Sequence, residues 1–134
     1  MKFFLTILIL IISISFSYAD NWEYLGNTRS GDNFYLDKTS VKKKDNLGYV
    51  TEKQVFNFPQ ISRDGNIYDQ TIMFKIYDCS NKNFTIKEVM GQDNKGNTVF
   101  NENFDKYYEG NPSKEWLKVG PSSIFFKSYE LACK

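Results

Sequence analysis

The chain has 134 residues, with 17 Lys and Arg set against 16 Asp and Glu, no histidine and two cysteines. So even a balance argues against broad electrostatic attraction to nucleic acid or to an anionic membrane. The missing histidine removes the commonest general base and the commonest metal ligand, which excludes serine triads, thiol proteases and ordinary zinc sites.

The first predicted element is a leader. Lys2 precedes an apolar run from Phe3 to Ile12 that continues, with serines mixed in, to Phe16. A spanning helix needs about 20 apolar residues, so this run reads instead as the core of a secretory signal. Ser17 and Ala19 place small residues three and one positions before a cut, so residues 1–19 are expected to be a signal peptide and residues 20–134 the mature domain. Asp20-Asn21-Trp22 offers no cysteine for a lipid anchor, and the expected destination is the periplasm, the cell surface or the medium. Removing Lys2 leaves 16 basic against 16 acidic residues in a mature chain of 115, a length that suits one domain.

From Trp22 onward, short runs of β-branched and aromatic residues are cut by Gly, Asn and Asp, the grammar of strands and turns. Trp22–Leu25 and Asn33–Asp37 read as two short strands joined by a Gly- and Asn-rich turn. Leu47–Phe58 and Tyr68–Tyr77 read as longer ones, separated by a loop holding Pro59 and Asp64-Gly65. In the fourth run Ile72, Phe74 and Ile76 point one way and Thr71, Met73, Lys75 and Tyr77 the other, which predicts one dry face, that of the isoleucines. Asn83–Met90 and Thr98–Phe100 complete six strands, with Asp93–Asn97 as a turn between them, and the short connections favour antiparallel neighbours. Asn101–Lys114 is polar and reads as a surface loop.

The last segment changes period. Pro121 and Ser122 mark a helix start, with the Ser122 hydroxyl as the expected cap. Phe125, Tyr129, Ala132 and Cys133 then share one face at helical spacing and need the dry face of the sheet to cover them. Cys79 and Cys133 both lie in the exported part, where oxidation is the default; two cysteines permit a single intramolecular pairing, which joins helix to sheet, and two free thiols are the alternative. The expected fold is therefore α+β: a six-stranded antiparallel β-sheet with a C-terminal α-helix packed on one face and tied by a disulfide.

Little chemistry remains. Carboxylate pairs suffice for glycoside hydrolysis, but a small half-open sheet offers little depth for raising a carboxyl pKa, and no enzyme activity, cofactor or metal is expected. Asp93-Asn94-Lys95-Gly96-Asn97 departs from a calcium loop at Lys95 and reads as a plain turn. Lys42-Lys43-Lys44 is the one basic run: a solvated hairpin tip, or a contact for sulfated glycans and acidic protein segments. Tyr68, Tyr77, Tyr107 and Tyr108 fall at strand ends or in loops, where tyrosine serves either as a partner contact or as cover for the rim of the core. Lys42, Lys43, Lys44, Tyr107 and Tyr108 are the candidate partner contacts.

An ordered set of residues adds to this reading. It comprises Trp22 with Leu25, Tyr35-Leu36-Asp37 followed by Ser40-Val41, Asp78-Cys79 ahead of Phe84 and Ile86, and Asp93 with Gly96. Trp116, Val119, Pro121-Ser122-Ser123 and the closing Cys133 complete it. Over nearly all of the mature part the chain resembles the surface-adhesin protein E family of exported bacterial domains. The resemblance implies the same sheet, helix and Cys79–Cys133 bridge, and a non-catalytic surface or periplasmic protein. The family's named member binds host extracellular proteins such as vitronectin and laminin, which makes a host extracellular-matrix protein the expected partner. A periplasmic inhibitor, or an accessory subunit of an envelope enzyme or complex, is the alternative.

Overall fold

The computed structural model of the protein describes residues 21–104 and 116–134. The expected signal peptide, residues 1–19, and most of the expected polar loop lie outside the described residues.

Eight strands form one antiparallel sheet: β1 Trp22–Asn27, β2 Asn33–Asp37, β3 Lys42–Lys44, β4 Leu47–Ile61, β5 Ile67–Asp78, β6 Asn83–Gln92, β7 Thr98–Asn103 and β8 Leu117–Lys118. Six of them make the main path, in the order β1-β2-β4-β5-β6-β7, and these are the six strands that the sequence predicts. The short β3 and β8 pair with β4 and β6 at the ends of those strands that β2 and β7 leave free. Strand β7 runs on to Asn103, so Asn101–Asn103 belong to the sheet rather than to the expected loop: Asn101, Glu102 and Asn103 pair with Met90, Val89 and Glu88.

The helix, α1, spans Phe125–Ala132 and starts three residues beyond Ser122. Pro121 to Ser123 first turn on themselves, with the Ser123 amide bonded to the Gly120 carbonyl. It is the Ser123 hydroxyl, not that of Ser122, that accepts from an orphan amide, that of Phe125 at 3.2 Å.

The helix covers the opposite face from the one that alternation predicts. Tyr77 lies across from Gly48 and Phe84, and Lys75 across from Val50 and Ile86. Upon these sit Tyr129 and Ala132 of α1, with Leu36, Val50, Tyr77, Phe84 and Val119 forming the core cluster. Phe125 closes edge-on against Phe34 at 5.3 Å and tilts against Phe84 at 5.5 Å. Burying each such side chain stabilises the fold by about 1.5–3 kcal/mol. Ile72 and Ile76 are also buried, on the other side, so β5 has two dry faces rather than one. The polar-looking face becomes a core because Lys75 finds a buried counter-charge there.

Candidate functional site

That counter-charge is Glu52, in the middle of β4. The Lys75 ammonium lies 3.1 Å from Glu52 Oε2, and neither side chain is exposed. The Tyr77 hydroxyl donates to the same carboxylate at 2.9 Å. Above the ammonium lie the ring faces of Phe125, 3.3 Å from nitrogen to centroid, and Phe84, 4.1 Å away. Burial pushes the Lys75 pKa down against the pull of Glu52 and raises that of Tyr77. This triad is sealed by α1 and open to no ligand, so its part is structural.

The disulfide joins Cys79, just after β5, to Cys133, just after α1, with their Cα atoms 5.5 Å apart. Beside it the Tyr129 hydroxyl donates to the Cys79 carbonyl at 2.8 Å. The turn that presents Cys79 is shaped by Asp78, whose carboxylate accepts from Asn81, Ser80 and Asn46. Those hydrogen bonds, the Asn81 side chain first, hold its pKa below the ordinary carboxylate value. At Gly48 the helix end comes close to the strand, since an added Cβ would stand 2.6 Å from the Ala132 carbonyl oxygen. The helix end therefore rests on bare backbone.

The other half of the same face is built differently. Strand β2 pairs with β4 only over Glu52–Val55, and β6 pairs with β5 only from Gln70 onward. Among the described residues, 60–68 are thus a hairpin arm whose strands pair only with each other. Between Val55 and Gln60 the β4 chain bulges at Pro59, which has no amide to donate to a ladder. Phe58, in the bulge at the root of this arm, and Ile61 and Ile67 on the arm itself stand exposed, at 69%, 72% and 60%. Residues Ser62 to Gly65 form its turn, with Gly65 at φ +83°, and the Asn66 side chain ties it to the Val99 carbonyl of β7.

Under the arm is a pocket of about 310 Å³, floored by Thr71 and Val89 and walled by Tyr68 and Phe100. Tyr68 meets Phe100 edge-on at 4.9 Å and Phe56 at 5.7 Å. Phe100 in turn lies across Gly91, where a Cβ would collide with the ring. Arg63 and Asp64 from the turn, and Glu102 from β7, line the same pocket.

The residues singled out from sequence fall in separate places. Lys42, Lys43 and Lys44 are the exposed strand β3, turned into β4 through Asp45 at φ +53°, remote in the fold from the hairpin arm. Tyr77 is wholly buried and so is no partner contact; its ring fills the core and its hydroxyl is spent on Glu52. Tyr68 is half-buried in the pocket wall. Tyr107 and Tyr108 lie outside the described residues. In the Asp93 turn the carboxylate accepts from the Lys95 and Asn97 amides, as a turn residue does. The exposed arm went unread from sequence, although Phe58 beside Pro59 inside a strand run is its signature.

Comparison with curated proteins and with solved structures returned no match. The family model for surface-adhesin protein E matches residues 22–134, from the first strand to the last residue. With sheet, helix and bridge arranged as above, the chain belongs to the surface-adhesin protein E family.

Proposed function

We propose that this is an exported, non-catalytic protein-binding domain that acts as a surface adhesin toward host extracellular proteins of the vitronectin or laminin kind. The observation that carries this reading is the hairpin arm. Three large apolar side chains held in water, two on a two-stranded projection and one in the bulge at its root, gain nothing for the fold and offer a partner a preformed apolar ridge. Family membership supports the adhesin role. No helix among the described residues is long and apolar enough to cross a membrane. Export by the leader at residues 1–19 is part of the same proposal, as is display at the cell surface.

The test is solid-phase binding of the mature, oxidised domain to immobilised vitronectin and laminin. The wild type should bind, and F58S/I61S/I67S should bind at least about tenfold more weakly, as expected when central apolar contacts are lost. Failure to bind either protein, or undiminished binding by the triple variant, overturns the reading. Cell fractionation supplies the second arm, since retention of all the protein in the periplasm favours the inhibitor or accessory-subunit role.

A further inference from the structure

We propose that the pocket beneath the β4–β5 arm receives a basic side chain, lysine or arginine, from the partner polypeptide. This rests on the protein-binding reading above and names the chemistry of its anchor.

Charge is the first reason. Two carboxylates, Asp64 and Glu102, and one guanidinium, Arg63, line the pocket, so its net charge is negative. Among the described residues none of these three side chains takes part in an ion pair or a hydrogen bond, and Arg63 does not pair with either acid. Among the described residues, then, nothing takes up their charge ahead of a guest.

The walls are the second reason. Tyr68 and Phe100 offer aromatic surface, and an alkylammonium or guanidinium is attracted to a ring face, more strongly where water is thinned. This chain already makes that contact with two of its own lysines. The Lys53 nitrogen lies 4.3 Å from the Trp22 ring centre, and that of Lys75 lies 3.3 Å from Phe125. The apolar floor of Val89 and the buried Thr71 suits the methylene stem of the same guest. A volume of about 310 Å³ is small for a whole ligand but ample for one long side chain. The exposed Ile61 and Ile67 beside the mouth then meet the partner's neighbouring residues. An acidic side chain would meet two carboxylates for one guanidinium, and a wholly apolar one would leave all three charges unmet.

The experiment is an NMR titration of the oxidised domain with Ac-Gly-Lys-Gly-NH2, Ac-Gly-Arg-Gly-NH2 and Ac-Gly-Glu-Gly-NH2. The two basic peptides should shift the amides of Tyr68, Thr71, Val89 and Glu102, and the acidic peptide should not. E102Q and D64N should each weaken the basic peptides by roughly two- to fivefold, as expected for exposed charges, and R63Q should tighten them. K43Q, on β3, should leave them unchanged. Thermal melting of each variant checks that the domain stays folded. No shift with either basic peptide, equal shifts with the acidic one, or indifference to both E102Q and D64N overturns the proposal.

The two readings fail separately. Binding of vitronectin or laminin without any peptide response removes the pocket and leaves the adhesin. A peptide response without binding of either protein leaves the pocket and removes those two partners.

Discussion

One face of the sheet carries two halves that are finished in opposite ways. At the Cys79 end a helix is laid over the strands, bonded covalently to them and pressed against the bare backbone of Gly48. At the arm end no helix of the described residues intervenes; a hairpin leans over β7, Phe100 lies across Gly91, and a pocket stays between them. Each half thus uses a glycine for close approach. In the first the approaching group is backbone and cannot yield, whereas in the second it is a half-buried ring that can turn aside. The charges differ in the same sense. Lys75 and Glu52 are sealed together under the helix, and Arg63, Asp64 and Glu102 line the pocket with no ion pair among the described residues. The clamped half holds the domain together, and the open half is left to meet something else.

The sharpest way to break this contrast is at the buried pair. Glu52→Ala leaves the Lys75 ammonium under the helix without its counter-charge, and urea denaturation should show a loss of about 3–5 kcal/mol. Restoring the match with E52M/K75M should recover most of that, since an apolar pair of similar volume needs no desolvation. A small loss for E52A would mean that the helix does not seal the face.

Next in size is the bridge. Its cysteines are 54 residues apart, a loop for which unfolded-chain entropy gives about 4 kcal/mol, so C79S/C133S should be destabilised by about that amount in the same assay. Gly48→Ala should cost about 1–3 kcal/mol through overpacking against Ala132, and Gly91→Ala less, because the Phe100 ring can move. Paired melting curves of the two variants make the comparison directly. At the small end, F58S and I61S should shift stability by no more than about 0.5 kcal/mol, as exposed positions do, while weakening partner capture.

Much of the fold was legible because its signals are local. Six runs of β-branched and aromatic residues, the Asp93 and Gly65 turns and the helical spacing of Phe125, Tyr129 and Ala132 each announce themselves within a few residues. The face that the helix covers was not legible. Alternation in β5 separates Ile72, Phe74 and Ile76 from Met73, Lys75 and Tyr77, and hydropathy favours the first set. Only the register of β4 on β5, which brings Glu52 across from Met73 and within reach of Lys75, reverses that choice.

Register is hard to read where strands bulge. This sheet shifts register between Val55 and Gln60, between Phe74 and Lys75, and between Gly91 and Gln92. The candidate site was hidden for the same reason. Its lining comes from the end of β4, the β4–β5 turn, β5, β6 and β7, and nothing in any one of those segments marks a pocket. The lysine run at Lys42–Lys44, conspicuous in sequence, belongs to an exposed hairpin away from it.

The claim that a sulfur clamp keeps one half shut while the other stands open by construction is tested most directly by hydrogen exchange. Amide exchange should be followed by mass spectrometry in the oxidised domain and in C79S/C133S under native conditions. The account predicts that protection in Phe125–Ala132 and in the Lys75–Tyr77 part of β5 falls in the variant, while residues 60–68 exchange alike in both. Unchanged protection of the helix without the bridge, or equal loosening of the arm, would contradict it.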